Sequence, residues 1–291
     1  MNKRWLVNGS LALLLTLLVI VALNEPGKPE LVPPTKLTAL RADQVTHISV
    51  IKADLPNIEL EKVENRWQLR SPTAAGKAAQ SMPGNPFRID SIVKLVEADS
   101  YLQLHPTATN LQQYGLAPPH VSARLNNVEI AFGNTDPIKG WRYVRLGDTV
   151  HAIANTQYSQ LLGEPLDFVN SELLPGQPDI KALKLPTAAI NKASTGAWKV
   201  EPQPTDYSAD AVTKLVDEWR YARALSLSPL EPAPSQGQIV VELKQGASVR
   251  FDILARKPKL LLGNNELGLT YKFAADVGDR LLDLSKHKPS E

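Results

Sequence analysis

Apolar positions along this chain follow three different rhythms. From Trp5 to Leu23 they run almost unbroken, and between Leu11 and Leu23 the only polar residue is Thr16. As a helix, nineteen residues at about 1.5 Å each reach about 28 Å, close to the thickness of a bilayer's hydrocarbon core. The run has no polar face, so a bilayer suits it better than a soluble core. The second rhythm is alternation, as in Ile58 and Leu60 or Val128, Ile130 and Phe132, the mark of half-buried strands. The third is helical. Val212, Leu215, Val216, Trp219 and Ala222 form one stripe, which makes Trp219 a core residue. Asp210, Lys214, Asp217 and Glu218 fall on the opposite, solvated side, and Ser208 is a suitable N-cap.

The helical phrase occurs twice. Asp90–Tyr101 reads DSIVKLVEADSY and Asp210–Tyr221 reads DAVTKLVDEWRY, identical at five of twelve positions. Asp99 stands where the second copy has Trp219 and breaks the first stripe, while Asn85-Pro86 can start that helix a turn earlier. The flanks repeat too. A hairpin with a tryptophan precedes each helix, Trp67 in one and Trp198 in the other, and alternating segments follow each. The tryptophans are 131 residues apart and the phrases 120 apart. The difference is a small-residue insert, Ser71–Asn85, expected to be a loop. The order β-β-β-α-β-β-β-β-α is therefore expected twice.

The predicted fold class is α+β: two tandem duplicated units of antiparallel sheet with covering helices, preceded by one transmembrane helix. The divisions are a signal-anchor over 1–23, a Pro-rich spacer over 24–36, a first unit over 37–174, a second over 175–285 and a tail over 286–291. The spacer holds four prolines between Asn24 and Thr35, so it is semi-rigid and reaches at most about 37 Å.

Composition narrows the function. The chain has no cysteine, which excludes disulfides, thiolate nucleophiles and cysteine-ligated zinc. Its net charge of +2 equals the contribution of Lys3 and Arg4. No basic stripe with interleaved aromatics is present, so nucleic acid is not an expected partner. Positive charge ahead of the apolar run turns the N-terminus toward the cytoplasm. The competing reading is a cleaved signal peptide, which needs small residues at its cleavage site, whereas this run ends VIVALNEP. The expected localisation is the bacterial inner membrane, single pass, with residues 5–23 in the bilayer and the bulk of the chain in the periplasm.

Asn110–Leu162 carries a further set of features: Tyr114-Gly115-Leu116 before a proline, an apolar strand ending in Gly133, Thr135 and Pro137 in a loop, and Gly140 followed by Tyr143-Val144-Arg145. In these the chain resembles the family catalogued as domain of unknown function 4340, closely over about Leu40–Leu174 and more loosely over the second copy. The resemblance implies a membrane-anchored extracytoplasmic protein, in many members similar in context to accessory subunits of ABC transporters. It brings no catalytic residues.

Chemistry is sparse. The five histidines, at 47, 105, 120, 151 and 287, form no pair at metal-ligand spacing. No nucleophile elbow, phosphate loop or dinucleotide fingerprint is present. No catalytic residue, cofactor or metal is therefore predicted. The strongest candidate for a partner or ligand surface is Asp136, Lys139, Trp141, Arg142, Tyr143 and Arg145, where Trp141, Tyr143 and Arg145 share one strand face and Arg142 points to the other. The blander reading packs Trp141 and Tyr143 on the unit's own helix and pairs Arg145 with a surface acid. The expected function is a non-enzymatic, membrane-anchored periplasmic accessory or scaffold protein of a membrane complex, with transporter subunits as partners. The alternative is a periplasmic binding module for a glycan or other envelope ligand, in a groove lined by Trp141 and Tyr143 between the copies. A hydrolase built on paired acids is a third, weaker reading.

Overall fold

A computed structural model describes residues 3–24, 33–53, 55–70, 81–105, 108–203 and 208–287. Most of the expected spacer (25–32), most of the insert (71–80) and the end of the tail (288–291) lie outside the described residues. The chain divides into a unit over Met1–Thr35 and a body over Lys36–Glu291.

The first unit contains α1 (Lys3–Asn24). Its Lys3–Val21 stretch has a mean hydropathy of 1.9, long and apolar enough to cross a membrane. Its hydroxyls are satisfied inside the helix. Ser10 Oγ donates to the Val7 carbonyl and Thr16 Oγ1 to that of Ala12, both at 2.9 Å. A helix in hydrocarbon needs that closure, because lipid offers no other acceptor.

The body holds two antiparallel sheets. The first contains β1 (Thr35–Lys36), β2 (His47–Lys52), β3 (Leu55–Val63), β4 (Arg66–Arg70), β5 (Ser81–Pro83), β6 (Asp99–Leu104), β7 (Val121–Leu125), β8 (Val128–Thr135), β9 (Arg142–Leu146) and β10 (Thr149–Ile153), in the order β1-β6-β10-β9-β8-β7-β2-β3-β4-β5. The second contains β11 (Ile180–Lys184), β12 (Ala189–Lys192), β13 (Trp198–Glu201), β14 (Ser226–Pro229), β15 (Gln238–Leu243), β16 (Ser248–Ala255), β17 (Leu260–Asn264) and β18 (Leu269–Phe273), in the order β13-β12-β11-β15-β16-β17-β18-β14. The run β6-β10-β9-β8-β7-β2-β3-β4 and the run β14-β18-β17-β16-β15-β11-β12-β13 correspond strand for strand. Helices α2 (Pro86–Val93) and α3 (Tyr158–Leu161) occupy the same places in the first copy as α4 (Ala209–Tyr221) and α5 (Ala275–Leu282) in the second.

Three details depart from expectation. Each copy has an unexpected strand directly after its helix, β6 and β14, and the first sheet also gains the edge strands β1 and β5. The first copy of the helical phrase is not helical to its end: α2 stops at Val93, a 3-10 turn covers Lys94–Glu97, and Ala98 is already extended at ψ 148°. Asp99 thus interrupts no stripe; it begins a strand and accepts a 2.7 Å bond from Lys36 Nζ. The insert also differs: its described end, Ser81–Pro83, is the edge strand β5, with no counterpart in the second sheet.

Local chemistry explains the elements. Asn85 Oδ1 accepts from Arg88 N–H at 3.3 Å with Pro86 in the first helical turn, and Ser208 Oγ accepts from Ala211 N–H at 3.1 Å. Each bond satisfies a donor that a helix start leaves free. β3 and β4 meet through Glu64 (φ 48°) and Asn65 (φ 63°), the paired positive φ of a two-residue turn matched to strand twist. Helix α4 buries Val212, Leu215, Val216 and Trp219, and burying such a side chain stabilises the fold by about 1.5–3 kcal/mol. Trp219 Nε1 donates to the Leu281 carbonyl at 2.8 Å. Glu218 is not simply solvated, since it accepts a 2.5 Å bond from Arg280 of α5.

One apolar cluster runs through both copies, from Leu37 through Phe132 and Trp219 to Leu281. The segment Phe168–Leu174 stitches them together. Upstream, the Phe168 carbonyl accepts from Asn85 N–H and Asn170 N–H donates to the Pro83 carbonyl, both at 2.7 Å. Downstream, Leu173 N–H donates to the Ala222 carbonyl at 3.0 Å and the Ser171 carbonyl accepts from Ala224 N–H at 2.8 Å. The first copy opens in the same way, with Leu37 N–H donating to the Ala98 carbonyl at 2.8 Å.

Candidate functional site

The loop between β8 and β9 is organised by one carboxylate. Asp136 Oδ1 accepts from the N–H groups of Lys139 (2.7 Å) and Ile138 (2.9 Å), and Oδ2 accepts from the Tyr143 hydroxyl (2.8 Å). These donors, the Lys139 amide first, hold the Asp136 carboxyl below its usual range. The same contact pushes the Tyr143 phenol up to about 12. Gly140, at φ 69°, closes the loop with an N–H bond to the Asp136 carbonyl.

The loop delivers Trp141 and Tyr143 to the sheet face opposite α2. Facing α2, Phe132 and Val144 belong to the main core; on the other face Tyr143 packs with Leu116, Ala131 and Val150 in a separate small cluster. Tyr143 meets Tyr114 edge-on at 4.9 Å, and Trp141 stacks on Tyr101 of β6 at 4.8 Å with 12° between the planes. Lys139 Nζ lies 4.4 Å from the centre of the indole, within cation–π range. Arg145 shares this face across from Ala131 and Val150, and among the described residues it forms no ion pair. Ile138 projects from the loop tip at 89% exposure.

Five of the six sequence candidates thus converge: Asp136, Lys139, Trp141, Tyr143 and Arg145. Arg142 does not join them. Its guanidinium lies 3.6 Å from the Tyr158 ring centre, and it donates to the Gly133 carbonyl (2.6 Å) and to Asn155 Oδ1 (3.0 Å). Burial lowers its pKa, as befits a structural clamp. Trp141 and Tyr143 pack on Tyr101 and Tyr114 rather than on the unit's helix. Sequence reasoning missed those two rings as site residues. Tyr101 sits at the end of the repeated helical phrase and Tyr114 in a turn motif, so neither pattern marks its ring as part of a surface.

Among the described residues, Trp141 and Tyr143 are not in the lining of the cleft at the joining segment. The cleft at that junction is lined instead by Trp67 and by residues of the joining segment, including Asn170 and Glu172. Two histidines are buried and serve packing. Buried His151 is paired through Nδ1 with Ser100 Oγ at 2.9 Å, and His287 Nε2 lies 2.8 Å from the Arg280 carbonyl. Among the described residues no group of three or more His, Asp or Glu is arranged to hold a metal ion.

The family described as Domain of unknown function (DUF4340) matches residues 78–231, more than half of the 291-residue chain. The chain belongs to this family. The DUF4340 match is placed differently from the resemblance expected over Leu40–Leu174: it omits the β2–β4 region and continues into the second copy past α4 and β14. Within it lies the whole aromatic face, with Tyr101, Tyr114, Trp141 and Tyr143. Gly133 of this DUF4340 protein has a clear steric reason, because a Cβ there would lie 2.1 Å from the Tyr114 carbonyl oxygen. Comparison with curated proteins and with solved structures gave no match.

Proposed function

We propose that this DUF4340 protein is a non-enzymatic, single-pass accessory or scaffold subunit of a membrane complex, with its aromatic face as the docking surface for a partner subunit. The carrying observation is the combination of α1, apolar on every side, with a body that presents Trp141, Tyr143, Lys139, Arg145 and the bare Ile138 on one stiff face. Tryptophan, tyrosine and arginine are the residues most enriched at binding hot spots. In this reading Lys3 and Arg4 stay in the cytoplasm of a bacterium, α1 crosses the inner membrane, and the body works in the periplasm. The partner class, an ABC-type transporter, is suggested by the family resemblance alone. Support for a non-enzymatic role comes from the engagement of the two buried histidines with Ser100 and Arg280.

The test is affinity purification from gently solubilised membranes, with a photo-crosslinker in place of Ile138. Transporter subunits should be recovered and crosslinked, and Trp141→Ala should reduce the yield. Recovery of an uncrosslinked monomer would reject the proposal. A glycan site on Trp141 is the weaker reading: with Tyr101 stacked on the indole and Lys139 over it, little of its face is left for a sugar ring.

A further inference from the structure

We infer that the cleft at the junction of the two copies is a binding site for a neutral oligosaccharide. The cleft encloses about 690 Å³, within the range of small-molecule sites. Its aromatic element is Trp67 of β4, which packs partly on the core while lining the opening. Among the described residues the Trp67 indole N–H has no acceptor, whereas that of Trp219 is bonded. Around Trp67 stand four carboxamides, Asn65, Gln68, Asn170 and Gln177. An amide both donates and accepts, as a sugar hydroxyl does, and an indole face suits the apolar C–H side of a pyranose. Charges in the lining balance, Lys62 and Arg66 against Asp90 and Glu172, so nothing selects a phosphate or another anion.

The inner wall is preorganised. Asn170 and Glu172 are 7% and 8% exposed. Asn170 Nδ2 donates to Glu172 Oε2 at 3.2 Å, Asn170 Oδ1 accepts from Glu172 N–H at 3.0 Å, and Glu172 Oε1 accepts from Arg223 at 2.7 Å. Each side chain keeps unused hydrogen-bonding capacity, and its rotamer is fixed before any ligand arrives. The other wall includes Pro83 at the end of β5. Because β5 has no equivalent in the second sheet, the fold builds this wall once. The site is independent of the aromatic face.

The experiment follows the tryptophan indole N–H resonances of the full-length protein by NMR. The protein is held in a zwitterionic detergent, since a maltoside headgroup would compete. The probes are the β-1,4-linked tetramer of N-acetylglucosamine and maltotetraose. At least one should shift the Trp67 resonance saturably and leave that of Trp141 unmoved. Trp67→Phe keeps the packing but narrows the platform and removes the N–H, so its binding is read by isothermal titration calorimetry, where it should be weakened by roughly tenfold. Asp90→Ala, at an exposed position on the rim, should weaken it by about threefold without touching the core. No shift at Trp67 with either sugar, or binding unaffected by both variants, would overturn the inference. A response that follows Trp141 instead would reject this site, while failure to recover a membrane partner would leave it standing.

Discussion

Asp136 concentrates the logic of the aromatic face in one side chain. Removing its carboxylate in Asp136→Ala frees two backbone donors and the Tyr143 hydroxyl. The Tyr143 phenol, now at about 12, should then titrate closer to the ordinary 10.0, visible as an earlier step in ultraviolet titration. His151 gives the matching prediction on the acid side. Burial lowers its pKa below the ordinary 6.5, so the unfolded chain takes up this proton first. Its contribution to stability is complete above pH 6.5 and is lost as the pH falls from there toward the lowered folded value. Urea melts between pH 7.5 and 5 should show that slope, and His151→Asn should flatten it. Polar loop residues such as Asp136 could be nominated from sequence because a strand break with Asp, Gly and adjacent aromatics is a local pattern. The choice of Tyr101 and Tyr114 as their partners depends on strands far apart in the chain, which no local period reveals.

At the scale of elements, the repeated phrase is one sequence signal with two outcomes. DAVTKLVDEWRY is helical throughout α4, while its twin leaves the helix after Val93. The difference follows from what each end can bury. Trp219 has Leu281 and Phe251 to pack against, and the first copy has Asp99 there, which pairs with Lys36 in the adjoining strand. Trp219→Ala should therefore cost about 3–5 kcal/mol in chemical denaturation, from the lost contacts and the orphaned Leu281 carbonyl. Asp99→Ala, at a solvent-exposed pair, should leave the denaturation midpoint almost unchanged. Gly133→Ala should prise the Ala108–Tyr114 turn from the sheet, costing about 1–3 kcal/mol and breaking the Tyr114–Tyr143 contact, which near-ultraviolet circular dichroism would register. Caps, tryptophan hairpins and the helical stripe were legible because each is written within a dozen residues. The strands β6 and β14 were not, because a segment such as SYLQL satisfies the end of a helical stripe and the start of an alternation equally well.

For the whole molecule, the duplication yields a single continuous core under two sheets. Unfolding of the body should accordingly be one cooperative transition, with tryptophan fluorescence and far-ultraviolet circular dichroism changing together in urea. Membrane orientation is checked separately, by an alkaline phosphatase fusion after residue 287 that should be active only if the body lies outside the cytoplasm. The stitching by Phe168–Leu174 has a practical corollary. Cut the gene after Gly176, and the upstream fragment keeps the joining segment, whose Ser171 and Leu173 are still addressed to Ala224 and Ala222 of the downstream fragment. Co-expressed halves should find each other and reassemble without a covalent link, turning this seam into a place to install a split reporter of folding.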